Sequence, residues 1–430
     1  MATAQHSPAR SSGEPTAGRP GNRSLLWPSL GVAAASRAAL FALVSLWPID
    51  LRHVSAALLY PAAQAYQGAP GRLLNPWAHW DGVWYIRIAS HSYAPFPHSE
   101  AFFPLYPLLV HAVALPLGHS YELAGIAVSL TCFLLLCALL YELTARQLGP
   151  RVGMATVAFL SLFPTSLFFQ AVYTESLFVL LVVACFYFAR RPTWALAGLC
   201  GLLATATHVS GVVLVLPMTL LYLSEHGWSL RRVRAGAAAI LLVPVGLLLW
   251  MAYLRSRFGD ALLFRQDEAH WGRRFAWPWQ TVWRGIVAVH DDLTGVPYRP
   301  LLAARPGLSA ARIAQTYAAH PALGESLTVS NVSSLVALGV VGVAIVLGVR
   351  RLPLAYTLFM VGVVALPLFG PTTLKPLMSL PRFALAAFPM FIVFALVTER
   401  RPVLRAILLA ASAVGLAYFT IRFAGFRWVA

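Results

Sequence analysis

Charge is what this chain has least of: 11% of its residues are charged and 59% are hydrophobic. A soluble domain carries about 25% charged residues, so a soluble globular protein is excluded and a polytopic membrane protein is implied. Lysine is nearly missing, with Lys375 standing alone, so the net charge of +17 is carried by arginine. The arginines are strung between apolar runs, which reads as topology signals and phosphate contacts and argues against a nucleic-acid partner. The four cysteines, Cys132, Cys137, Cys185 and Cys200, sit in apolar runs without metal-ligand spacing and read as small core hydrophobes. No Gly-rich phosphate loop, Walker pattern or dinucleotide fingerprint occurs. The nearest approach to an Asp-x-Asp pair is Asp291-Asp292, which lacks the spacer. His79, His91 and His98, with Glu100, fit no metal motif. No cofactor is required on this pattern; a divalent metal is compatible with it but not indicated.

What is present is a series of apolar runs. The polar stretch 1–26, rich in Ser, Gly, Pro, Ala and Arg, reads as a disordered cytoplasmic tail, and 27–430 as a single integral-membrane domain. The first apolar run, 28–48, is span-length and reads as a span rather than a cleaved leader. Arg37 lies inside it and is expected to face the bundle or snorkel, because a charge at the centre of a span costs roughly 2.5–3.5 kcal/mol. Residues 49–120 form a first outward loop. Within it, the run 101–118 is short for a span and carries Pro104 and Pro107 near its start. As a full span it would invert everything downstream; as a re-entrant or surface helix it places every later arginine pair inside.

The positive-inside count favours the second choice. Further spans then fall near 121–143, 152–170, 174–189, 193–208, 210–223, 235–254, 331–349, 353–369, 383–398 and 404–421. The cytoplasmic turns carry Arg146 and Arg151, Arg190 and Arg191, Arg231, Arg232 and Arg234, Arg350 and Arg351, and Arg400, Arg401 and Arg405. The expected fold is all-α, with about 11 transmembrane helices and outward-facing loop helices. The segment 255–330 is too long for a turn and is expected to form short helices on the membrane surface, on the same side as 170–176 and 370–382.

Acids are few, so their positions inform. Asp81 sits in His79-Trp80-Asp81-Gly82-Val83-Trp84-Tyr85, a glycine beside it and aromatics around it, as suits a membrane interface or a sugar-stacking surface. Glu175, in Tyr173-Thr174-Glu175-Ser176, is placed either to share a cavity with Asp81 or to serve the first turn of a helix. Arg382, in Ser379-Leu380-Pro381-Arg382-Phe383, begins a span, where it either binds a lipid phosphate or anchors at the interface. Arg273-Arg274 is a weaker candidate, since a solvated face looks the same.

These stretches, with Ala101-Phe102-Phe103-Pro104-Leu105-Tyr106-Pro107-Leu108 and Phe163-Pro164-Thr165-Ser166, resemble the PIG-V family of mannosyltransferases and its bacterial relatives, in the family's order from about residue 77 to 398. The resemblance implies a GT-C fold with the catalytic acid in the first outward loop. It implies an inverting transfer of mannose from a polyprenyl-phosphate carrier to a lipid or glycan acceptor at the outer face of the inner membrane. Asp81 would be the general base and Glu175 would orient acceptor or sugar. Arg382 would hold the phosphate, with His79, Trp80, Gly82, Trp84, Tyr85, Tyr106, Tyr173, His270 and Trp271 as further substrate contacts. The family's Thr-Arg-Pro-x-Gly-like turn is here Thr207-His208-Val209-Ser210-Gly211, so that arginine has no counterpart. Two other classes compete. A transporter or flippase predicts paired broken helices and internal repeats, neither of which the sequence displays. A non-catalytic assembly subunit has no need of the intact Trp80-Asp81-Gly82.

The topology is testable by single-cysteine labelling from outside the cell. Probes at 81, 175, 270 and 376 are expected to react and probes at 148 and 232 to stay protected. Reaction at both 81 and 148 would mean that 101–117 crosses the membrane.

Overall fold

The computed structural model describes residues 23–48, 66, 68–294, 321–373 and 375–429. Among them it is all helix, with no strand. Most of the expected tail, 1–22, lies outside the described residues, but Arg23–Leu25 is a 3₁₀ turn leading into α1, Leu26–Leu46, so the helix begins before the expected boundary. Among the described residues, four helices are by themselves long and apolar enough to cross a membrane: Leu26–Leu46, Tyr121–Leu148, Leu327–Val349 and Pro402–Ala424. Six more apolar helices have 10–17 residues. The chain is an integral membrane protein with many apolar helices, but eleven full-length spans are not what the helices themselves define.

Two expected straight spans are bent. The run 235–254 is Ala235–Leu242 followed by Val245–Phe258 at 44°, with Pro244 at the break. The run 383–398 is part of Leu380–Ala386 followed by Pro389–Thr398 at 79°. Proline explains both, since it lacks the N–H and clashes with the preceding turn. The expected span 152–170 also stops early: the helix Pro150–Leu162 ends before Phe163-Pro164, and Ser166–Phe169 is a separate 3₁₀ turn. The contested run 101–118 contains the ten-residue helix Leu105–Ala114. At 1.5 Å per residue it is about 15 Å long, half the hydrocarbon thickness.

The long segment after 255 holds the short helices Leu263–His270 and Pro278–Thr294, and its part 295–320 lies outside the described residues.

Arg37 faces the bundle. It is 3% exposed and forks onto the break after Leu162. Its Nη1 donates to the Ser166 carbonyl at 2.6 Å, and its Nη2 donates to the Ser161 carbonyl at 2.7 Å and to Ser166 Oγ at 2.9 Å. The Phe133 ring lies 4.7 Å beneath the guanidinium. A broken helix leaves carbonyls without intrahelical partners, and this arginine supplies the donors, fixing the path of 163–174.

Arg37→Leu therefore leaves the buried Ser166 carbonyl unmet, at about 1–3 kcal/mol, while Ser161 keeps the Ser166 hydroxyl as donor. The melting temperature in detergent should fall by several degrees, and Arg37→Lys should restore only part of it, because an ammonium cannot fork onto the same acceptors. A leucine variant as stable as wild type would refute the role.

Candidate active site

Three stretches far apart in sequence meet at one point. In the first, the 3₁₀ turn Asn75–Ala78 ends at His79, Trp80 takes φ 56° and ψ −120°, and Asp81 opens the helix Asp81–His91. That backbone conformation is strained for a tryptophan and persists only where neighbours hold it. They do so here. The His79 Nδ1–H donates to the Phe423 carbonyl at 3.1 Å, and the Trp80 ring packs on Phe426 at 4.6 Å and on Trp428 at 5.0 Å. The Gly82 N–H closes the turn onto the His79 carbonyl at 3.0 Å. Asp81 is thereby set at the positive end of a helix, which favours its charge.

The second stretch is the turn between Ser166–Phe169 and the helix Glu175–Ala189. The Val172 N–H donates to the Trp77 carbonyl at 2.9 Å. The Asp81 N–H donates to Tyr173 Oη at 3.2 Å, and that hydroxyl donates to the His79 carbonyl at 3.3 Å. Two glycines permit the approach. A Cβ on Gly125 would meet Val172 Cγ1 at 2.5 Å, and one on Gly82 would press on the Val172 carbonyl at 3.3 Å. Glu175 thus also opens a helix, beside Asp81.

The third stretch turns through Ser379, at φ 67°, into the short helix Leu380–Phe383. Thr165 Oγ1 donates to the Pro381 carbonyl at 2.7 Å, which ties it to the second stretch. Arg382 then reaches both acids. Its Nη1 donates to Asp81 Oδ2 at 2.5 Å, and its Nε lies 3.0 Å from Glu175 Oε1. The second contact is coulombic rather than a hydrogen bond, because the Nε–H is not aimed at the carboxylate. The guanidinium also lies 5.3 Å from the centre of the Tyr173 ring and 5.2 Å from that of Phe383. The Asp81 side chain is 28% exposed and that of Glu175 10%, so Asp81 is the outer acid and Glu175 the inner one. Glu175 Oε2 is buried with no hydrogen-bond partner among the described residues.

The other sequence-predicted residues divide. Trp84 follows Asp81 by one turn, on the same face of the helix. It stacks on Phe102 at 5.6 Å and meets Trp271 edge-on at 5.5 Å, an aromatic wall beside the acids. Tyr85 and Tyr173 are buried beneath the ion pair. Burial, with the Asp81 and Glu175 charges behind it, pushes the Tyr85 phenol above its ordinary range. His79, Tyr106 and His270 are not brought to the acids' open side. His79 is buried against the C-terminal helix, and burial pulls it down to about 4 against the opposing pull of the Phe423 carbonyl. Tyr106 is fully buried and bonded to the Gly125 carbonyl and Ser129 Oγ. His270 stacks on His98 at 3.9 Å. His79 and Tyr106 are held by packing among aromatic neighbours, whereas His270 is exposed.

Sequence reasoning missed the C-terminal stretch Phe426-Arg427-Trp428 that braces Trp80, and Lys375, whose Nζ lies 4.0 Å from the centre of the Trp428 ring. Aromatics following a last span are the one signal that marked the stretch.

The fold and the site define a helical membrane protein with two carboxylates gathered on one arginine. The family model described as mannosyltransferase (PIG-V) matches residues 30–227. The resemblance seen in the motifs is thus borne out over the part that holds Asp81 and Glu175, while Arg382 lies beyond the match. The chain is 35% identical over 111 residues to GPI mannosyltransferase 2 of Drosophila pseudoobscura pseudoobscura, covering 23% of this chain and 24% of that protein. It is 32% identical over 159 residues to GPI alpha-1,6-mannosyltransferase 2 of Cricetulus griseus, covering 33% and 31%. The matches therefore span a quarter to a third of these relatives' length. Among solved structures, the Archaeoglobus fulgidus oligosaccharyltransferase aligns with a TM-score of 0.44 at 13% identity, covering 94% of this chain and 53% of that one. ArnT from Cupriavidus metallidurans, solved bound to undecaprenyl phosphate, aligns at 0.43 and 14% identity, covering 94% and 78%.

Burial lowers the Lys375 ammonium to about 7. Its free-base, nucleophilic form therefore prevails above pH 7, whereas an ordinary lysine with a pKa of about 10.4 is about a thousandth free base at pH 7.5. Acylation of Lys375, followed by peptide mass spectrometry, should titrate with a midpoint near 7; a midpoint above about 9 would place the amine in open water.

Proposed function

We propose that this chain is a GT-C-type membrane glycosyltransferase that moves a mannose from a polyprenyl-phosphate carrier to a hydroxyl of a lipid or glycan acceptor, with inversion, at the outer face of the membrane. The observation that carries the reading is the gathering on Arg382 of Asp81 and Glu175, both of which lie in the part that a mannosyltransferase family model matches. Asp81 takes the proton of the acceptor hydroxyl. The acceptor oxygen bonds to the anomeric carbon as the bond from that carbon to the phosphate oxygen breaks, and the electron pair leaves with the polyprenyl phosphate. Arg382 occupies only Oδ2 of Asp81, so the other oxygen of this partly exposed carboxylate serves as the base. The unpartnered Oε2 of the deeper Glu175 suits a sugar or acceptor hydroxyl as donor. The exposed Trp271, set edge-on against Trp84, offers a face on which a sugar ring can stack.

The test incubates purified protein with labelled polyprenyl-phospho-mannose and cell-envelope lipid, then identifies the labelled product. Asp81→Asn keeps an oxygen for Arg382 and removes the basicity. General-base catalysis contributes about 10² to 10⁴ in rate, so turnover should fall at least a hundredfold. Asp81→Glu should also be poor, since misplacing a carboxylate by about an ångström can cost on the order of a hundredfold. Variants are compared at equal amounts of monodisperse protein. An asparagine variant that keeps more than about a tenth of wild-type transfer removes Asp81 as the base.

A further inference from the structure

The charge count at the ion pair is incomplete for the reaction proposed above. Arg382 faces two carboxylates, so its one positive charge is already met. A departing phosphate monoester brings about −1.5 to −2 more. Set against this triad alone, it meets two acids and no unspent cation.

A second guanidinium stands at the same place. Arg273 lies on the extended stretch after Leu263–His270, and its neighbours are pinned there. The Arg274 N–H donates to the Pro371 carbonyl and the Ala276 N–H to the Phe369 carbonyl, both at 3.1 Å. Arg273 Nη1 donates to the Gly370 carbonyl at 2.9 Å. Its guanidinium lies 5.9 Å from the centre of the Phe383 ring, and that of Arg382 lies 5.2 Å from the same centre. Among the described residues, no carboxylate comes within 4.0 Å of Arg273; Glu268 on the preceding helix and Asp81 act on it only from beyond ion-pair distance. One carbonyl takes one of its five N–H donors, which leaves most of the fork uncommitted. Two like-charged heads around one ring repel, and an anion between them removes that repulsion. A guanidinium fork is well matched to phosphate oxygens.

We infer that Arg273 is the residue that holds the phosphate of the lipid carrier, while Arg382 is a positioning residue that fixes the two carboxylates. The inference rests on the proposed function and reassigns the phosphate from Arg382, which the acids already occupy. It also gives a use to the turn at Gly272, which sets Trp271, a sugar-stacking face, and Arg273, a phosphate donor, two residues apart.

The test uses the whole protein in detergent with undecaprenyl phosphate as the probe. Arg273→Gln should weaken its binding roughly ten- to a hundredfold, the worth of a charge-assisted hydrogen bond, and should leave the Michaelis constant for the acceptor unchanged. Arg273→Lys should fall between the two. In wild-type protein, undecaprenyl phosphate should also shield Arg273 from phenylglyoxal, as read by peptide mass spectrometry, a measurement that needs no variant to fold. Binding by the glutamine variant within about twofold of wild type, or modification of Arg273 at the same rate with and without the phosphate, makes Arg273 only a staple to Gly370 and overturns the inference. If wild-type protein binds the phosphate and shields Arg273 but transfers no mannose, the functional reading falls while the phosphate site stands.

Discussion

One guanidinium holds two carboxylates, and the arrangement of the chain around it follows from that contact. Asp81 and Arg382 are 301 residues apart. Bringing them together while water is excluded is expensive: each buried ion costs several kcal/mol in desolvation, which attraction offsets only where the geometry is good. The site meets this in three ways. Each acid opens a helix, whose positive end favours its charge. The arginine lies over aromatic faces of Tyr173 and Phe383. Asp81 keeps partial access to water. The contact is better understood as fixing geometry than as supplying stability.

The breaks in the helices serve the same end. Pro164 ends one helix early, and Arg37 meets the carbonyls this exposes, so Thr165 can bond the Pro381 carbonyl. The 79° bend between Leu380–Ala386 and Pro389–Thr398 lets a helix otherwise read as a straight span lay its first turn across the two acids. Broken helices are also a mark of transporters. There they are paired by internal repeats, and here the two bends differ, 44° against 79°, with one of them placing Arg382 on two acids.

Much of this was legible. Asp81, Glu175 and Arg382 stand out because acids are rare in such a chain and because each sits beside a glycine, a helix start or a proline. The short prolines-first run 101–118 was readable as too short to span, and its helix has ten residues. Burial of Arg37 followed from the cost of a charge in lipid. The partnership itself was not legible, because hydropathy orders spans along the chain and says nothing of which ends touch. The positive φ of Trp80 depends on Phe426 and Trp428, some 350 residues away, so no local rule reveals it. The helices do not fix the number of spans for a related reason: apolar helices of 10–17 residues, bent pairs and full spans share one composition, and only breaks in backbone bonding separate them.

The reassignment of Arg382 follows from electroneutrality rather than from proximity. A base must stay ionised until it takes its proton, so something near it must favour the charge; a leaving phosphate needs a cation whose charge is not already met. One arginine cannot serve both ends of an in-line displacement, because the acceptor and the leaving group stand on opposite sides of the anomeric carbon. The site supplies two. Arg382 lies on the two carboxylates, and Arg273 lies against the same Phe383 ring on a stretch anchored by backbone bonds to 369–371. In the proposed reaction, proton transfer to Asp81 would discharge that carboxylate and leave Arg382 with one charged partner. Arg273 would meanwhile meet the negative charge that develops on the departing phosphate. Stabilisation that grows toward the transition state is what accelerates a reaction, and a single guanidinium bound to one acid and one phosphate from the outset would have none in reserve.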